Sequence, residues 1–115
     1  MPFDRGDVVL VFFPDSNLRT AKRRPALVVQ ANRLQTGLAQ TIVAMISSNM
    51  VRAGHPSRVA VLQASPESKQ MGLHTDSVIV TDNLATVLER EIDRTIGRCP
   101  DMSAVDAALR HTLGL

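Results

Sequence analysis

Short apolar runs set what this chain can fold into: DVVLVFF at 7–13, ALVVQ at 26–30, QTIVAMI at 40–46 and SVIVT at 77–81. Each is rich in β-branched residues, shorter than an ordinary helix, and bounded by turn formers such as Gly6, Pro14, Pro25 and the cluster Ser47, Ser48, Asn49. They read as buried strands. Pro25 fixes its own φ and biases Arg24 toward an extended conformation, so the second strand is expected to begin at Ala26. A shorter strand at 58–62 sets Arg58, Ala60 and Leu62 on one face and Val59 and Val61 on the other, and the stretches 49–57 and 64–75 read as loops. Residues 82–98 carry both helical spacing (Leu84, Val87, Leu88) and strand formers (Thr86, Val87), and are read as a short strand followed by a turn. After Pro100, Ser103 reads as an N-cap with Asp106 three residues on. Val105, Ala108, Leu109 and Thr112 then line one helical face before Gly114. The expected fold is mostly β (α+β). Five or six strands form a small, strongly curved antiparallel sheet or partly open barrel, capped by a C-terminal helix.

The 115 residues suffice for one domain, 1–115, burying about two thirds of the surface its unfolded chain would expose. No apolar run approaches the roughly 20 residues of a bilayer span. The N-terminus MPFDRGD has neither a signal core nor a transit pattern, so a cytoplasmic protein with no membrane partner is expected. The single cysteine, Cys99, has no second thiol for a disulfide or a metal site, and reads as a small semi-buried residue. Net charge is only +2, but it is unevenly spread. Residues 1–58 carry eight basic against three acidic side chains, net +5, and residues 59–115 five against eight, net −3. A cationic half suits an anionic partner such as a phosphate backbone. With three Phe and no Trp or Tyr, a sheet that reads bases by stacking is not expected.

RGDVVLVFFP at 5–14, KRRPALVVQ at 22–30, QTIVAMISSN at 40–49 and SVIVTDNLATV at 77–87 resemble, in order and spacing, the MazF/PemK family of toxins from type II toxin-antitoxin modules. Most of the chain is covered, and the ordered set is more specific than any one fragment. The resemblance implies an SH3-like β-barrel with a C-terminal helix and a homodimer. It implies an endoribonuclease that uses no metal or other cofactor, cuts single-stranded RNA at a preferred sequence, and is silenced by a cognate antitoxin. Operator DNA would be bound only as a toxin–antitoxin complex. Residue by residue, it carries over the arginine before the strand proline, Arg24, and the hydroxyl at the end of the third strand, Ser47.

The chemistry wants such groups. Cleaving RNA through its own 2′-OH requires removal of that proton, stabilisation of charge gathering on phosphorus, and protonation of the departing 5′-oxygen. Arg24 offers a permanently charged, planar fork matched to two phosphate oxygens. Ser47 is read as a donor to a phosphate oxygen or a group positioning the 2′-OH, and Ser48 as an RNA contact that takes that place if the register lies one residue further on. Its structural alternative is to cap the turn that follows. Asp82 matches an acidic position that some relatives place near the scissile group; it is either a proton acceptor whose pKa partial burial raises, or a turn former with Asn83. Arg19, Lys22, Arg23, Arg33, Asn49 and Arg52 are taken as RNA-contacting residues. His55, His74 and His111 are dispersed and read as solvated side chains rather than an acid–base pair, with His55, between Arg52 and Arg58, kept as an RNA contact. The chain departs from the family in its first loop, PDSNLRTAKRRP, whose only acid is Asp15. It departs again at Val80, where some relatives have an arginine; Arg23, Lys22 or Arg19 would have to replace that guanidinium. Two other classes compete: a gyrase-binding toxin resembling CcdB, acting through its C-terminal helix, and a catalytically inactive antitoxin-binding co-repressor.

Overall fold

The computed structural model describes residues 2–14 and 21–115. Along the chain run β1 (Asp7–Pro14), β2 (Ala21–Val28), β3 (Gln40–Ser47), β4 (Arg58–Val61), α1 (Pro66–Gln70), β5 (Ser77–Leu88), a 3-10 turn (Glu89–Glu91), β6 (Ile92–Arg98) and α2 (Ser103–Leu113). The strands form one antiparallel sheet in the order β4-β5-β3-β2-β1-β6. β4 and β6 are its two ends, so the barrel is not closed.

The sheet curls far enough to bury both of its faces, which is why DVVLVFF reads as a continuous apolar run rather than an alternating one. Val8, Leu27, Ala44 and Ile79 point into a core beneath the helices, shared with Met71 and Val105. Their strand neighbours Val9, Val11, Ala26, Val28 and Val43 fill a second core with Val87 and Ile92. The bend is made in β5. Met45 pairs with Val80 and Ala44 with Leu84, so one step along β3 spans four along β5, and Thr81, Asp82 and Asn83 bulge out between. Thr81, fully buried at that bend, donates its hydroxyl to the Ser57 carbonyl (2.5 Å) and meets the Thr112 hydroxyl of α2 (2.8 Å).

Three expectations change. The triplet Lys22, Arg23, Arg24 lies on β2 itself rather than in a loop before it. β2 pairs with β3 only over Ala26–Val28, so from Ala21 to Pro25 one side of it has no strand partner, and there a residue lacking an N–H is tolerated. Residues 82–98 are the second half of β5, the 3-10 turn and the whole of β6, because both segments find partners, β3 and β1, that are distant in sequence. The stretch 64–75, expected to be loop, contains α1, opened by Ser65, whose hydroxyl accepts the Ser68 N–H (3.4 Å). The helix α2 keeps its expected face, with Val105 and Ala108 buried. Its first turn, however, is capped by Asp101, which accepts from the Ser103 N–H (2.9 Å) and hydroxyl (2.6 Å).

The opening Arg5-Gly6-Asp7 is structural. Arg5 reaches the Val29 carbonyl (3.0 Å) and Asp106 of α2 (2.6 Å). Gly6, at φ 97, brings its N–H to the Val28 carbonyl and its own carbonyl to the Cys99 N–H. Asp7 pairs with Arg98 of β6 at 2.9 Å. Among the described residues no helix is long and apolar enough to cross a membrane.

Candidate functional site

Where β2 and β3 part company, the sheet opens into a trough of ≈ 750 Å³. Its floor is Leu10, Pro25, Met45 and Ile96; its polar rim is Arg24, Ser47, Ser48, Asn83 and the segment Gly72–Thr75 that follows α1. Arg24 and Ser47, the two residues at the centre of the sequence argument, therefore face the same space. Arg24 is exposed and makes no ion pair or side-chain hydrogen bond with any described residue. Arg23, beside it, also lines the trough but is engaged by Asp93 of β6 (2.9 Å) and lies 6.0 Å from the Phe12 ring.

The turn-capping reading of Ser47 holds, and it is compatible with the other. Its hydroxyl oxygen accepts the Asn49 N–H (3.0 Å), capping the turn that ends β3. An accepting oxygen keeps its own proton, so the O–H remains able to donate to a ligand in the trough. Asn49 is spent locally, its side-chain oxygen accepting from the Val51 N–H (3.1 Å).

Asp82 sits elsewhere. The bulge in β5 turns it away from the trough toward β4, where Arg58 donates to both its oxygens (3.2 and 3.3 Å) and Ser57 to one (3.3 Å). The hydrogen bond from Arg58 is the largest influence and, with that from Ser57, outweighs slight desolvation, so its pKa is lowered from 3.8. The burial that would have raised it is missing, since its side chain is 45% exposed. Among the described residues Arg58, and not Arg23 or Lys22, is the basic side chain beside this carboxylate. Val80 is buried and pairs with Arg58 across β4 and β5.

His55 belongs to that same neighbourhood. Its Nδ1 accepts the Ser57 N–H (3.1 Å), and its ring meets His111 of α2 edge-on at 6.0 Å between centroids. Lys22, Arg33 and Arg52 are exposed and lie outside the trough lining. Arg19 and Asp15 fall outside the described residues. Four further trough residues are not expected there from the sequence: Thr75 and Ser77 carry no site signal, His74 reads as a solvated side chain, and Asn83 as a turn former. They lie on two separate segments, and only folding puts those segments opposite β2.

Residues 4–113 match the sequence profile of the PemK-like, MazF-like toxin of type II toxin-antitoxin system. The chain is 32% identical over 105 residues to Endoribonuclease MazF6 of Mycobacterium tuberculosis, an alignment spanning 89% of this chain and 88% of that protein. Endoribonuclease MazF2 of Mycobacterium bovis matches equally well. Among solved structures, the MazE-MazF complex of Deinococcus radiodurans superposes with a TM-score of 0.74 at 21% identity, covering 100% of this chain and 99% of that one. An endoribonuclease in complex with its cognate antitoxin, from a mycobacterial species, gives 0.73 at 22% identity, covering 98% and 96%. At those identities the superpositions establish the fold.

Proposed function

The chain belongs to the PemK-like, MazF-like toxins of type II toxin-antitoxin systems, and from that premise we propose that it is an endoribonuclease toxin whose scissile linkage lies in the trough between Arg24 and Ser47. The observation that carries the placement is a guanidinium without a partner among the described residues, sharing with a hydroxyl donor a trough whose described lining residues include no carboxylate. A phosphodiester fits that arrangement electrostatically. The 2′-oxygen attacks phosphorus, the bond to the 5′-oxygen breaks, and the products are a 2′,3′-cyclic phosphate and a 5′-hydroxyl. Arg24 holds two phosphate oxygens and stabilises the charge that gathers on them; a preorganised donor of this type contributes about 3–4 kcal/mol. Ser47 donates to a phosphate oxygen from the opposite strand. The nucleophile comes from the substrate and the charge is met by the guanidinium, so the reaction is expected to proceed without a metal.

The partners are single-stranded RNA and a cognate antitoxin, in keeping with the endoribonucleases and antitoxin complexes that this chain resembles. A cytoplasmic homodimer, binding operator DNA only together with its antitoxin, completes the reading. Exposed Phe12, Leu34, Leu38 and Leu62 offer apolar surface for such contacts.

The test is cleavage of a long single-stranded RNA in EDTA, with the new ends mapped. Wild type is expected to cut at sites sharing a short sequence. Arg24→Ala should lower kcat about 10²–10³-fold with an unchanged melting temperature, and Arg24→Lys should restore little, because a point charge does not reproduce the fork. A transcript left intact by wild type at every salt concentration would overturn the proposal.

A further inference from the structure

Arg24 and Ser47 leave one requirement of the reaction unmet. Both are donors in the trough, and neither removes a proton from the 2′-OH at neutral pH: a guanidinium has none of its lone pairs to offer, and a serine hydroxyl is itself a weak acid. Asp82 is held on the far side of β5 by Arg58. Among the described residues that line the trough there is no Asp or Glu, and the one imidazole is that of His74.

We propose that His74 is the general base of this enzyme. The proposal rests on the reading of the trough as the RNA-cleaving site.

The position of His74 is fixed by its neighbours on both sides. Immediately before it, Leu73 is buried, with its N–H bonded to the Ser68 carbonyl (3.0 Å) and its carbonyl accepting the hydroxyl of the fully buried Ser68 (3.0 Å). Immediately after it, the Thr75 carbonyl accepts the Ser77 hydroxyl (2.9 Å). Gly72, at φ 71, packs against the backbone of β6 so closely that an added Cβ would overlap the Ile96 carbonyl. An exposed imidazole is thus carried on backbone that is pinned at residues 72, 73 and 75, which is how a proton acceptor is preorganised. The charged groups that share the trough are Arg23 and Arg24, both from β2. The contributions of β1, β3, β5 and β6 (Leu10, the Met45–Ser48 segment, Asn83 with Ala85, and Ile96) carry no titratable side chain. Asp76, two residues along, is occupied by the Gln63 N–H (2.8 Å).

In the resulting step the 2′-OH proton passes to the neutral His74 ring and the 2′-oxygen bonds to phosphorus. The phosphorus–5′-oxygen bond breaks, and the departing oxygen takes a proton from solvent at the open mouth of the trough. The imidazolium returns its proton to solvent before the next turnover.

The test compares wild type with His74→Ala on an RNA oligonucleotide built around a mapped cut, as a function of pH. Wild-type kcat should rise with pH through the imidazole range and then level. His74→Ala should be slower by about 10²–10⁴-fold with that limb abolished, while affinity for the same oligonucleotide carrying 2′-deoxyribose at the cut stays within a few-fold. Because the side chain is exposed, the melting temperature should not move. A substrate with sulfur in place of the departing 5′-oxygen separates the two proton-transfer roles. A base variant stays slow on it, whereas recovery of the variant's rate would make His74 the acid and overturn the assignment. Equal rates and pH profiles for variant and wild type would overturn it outright while leaving the nuclease reading intact; absence of cleavage by wild type would overturn both.

Discussion

In the proposed site Ser47 would serve structure and chemistry through different atoms. Its lone pair fixes the turn after β3 and its proton is left for the trough, so the two functions separate under substitution. Ser47→Ala removes both. It should cost about 0.5–1.5 kcal/mol of stability, the usual net worth of one hydrogen bond, and slow cleavage by about tenfold or more. Ser47→Thr keeps the hydroxyl and should recover most of both. Urea unfolding and single-turnover cleavage measured on the same preparations read the two effects independently. Asp82 illustrates the opposite outcome. Its identity alone permitted a base or a turn former, and the neighbour that decides, Arg58, is 24 residues away along the chain.

Among the elements, α1 and β6 matter most to the site because they meet backbone to backbone. Gly72 lies against Ile96, and Gly97 lies against Gln70 and Met71 with no space for a methyl group. Side chains at these positions would lever the Gly72–Thr75 segment off the end of β6. Gly97→Ala, whose backbone needs no left-handed conformation, isolates that steric effect. It should destabilise by about 1–3 kcal/mol, seen as a lower urea midpoint with unchanged slope, and should slow cleavage through displacement of His74 although residue 97 touches no substrate. Full activity in a destabilised Gly97→Ala protein would argue that the segment does not hold a reacting group. The bulge in β5 is the other decisive device: it aims Thr81 inward to receive α2 and Asp82 outward to Arg58, leaving Asn83 and Ala85 for the trough.

For the whole molecule, ion pairs tie distant parts of the chain: Arg5 to Asp106, Asp7 to Arg98, and Arg58 to Asp82. The Asp82 pair gives stability a definite sign against pH. Because Arg58 lowers the carboxyl pKa in the folded state below 3.8, folding is favoured by this group above that value, and the contribution is lost as pH falls through the folded pKa. The pair is partly solvated, so the contribution should be under about 1 kcal/mol. Asp82→Asn should therefore lower stability slightly at pH 7, by urea unfolding, and its difference from wild type should narrow as pH falls through the folded-state pKa of Asp82. It should also leave cleavage at pH 7 nearly unchanged, in contrast to Arg24→Ala.

Patterning alone determined much of this protein. Apolar β-branched runs bounded by Pro, Gly and Ser specify strands wherever a sheet can bury them, and so β1, β3, β4 and the apolar face of α2 were legible to within a residue at the strand ends, while Arg24 and Ser47 were singled out through the family resemblance. Three things required the tertiary fold. Lys22–Arg24 became strand because β1 lies alongside, and 82–98 became two strand segments because β3 and β1 supply partners. His74 moved from a solvated loop to the rim of the trough because Gly72 allows α1 to lie on β6. The common reason is that strand pairing and close backbone approach are contacts between residues far apart in sequence, and no local spacing encodes which distant segment will arrive.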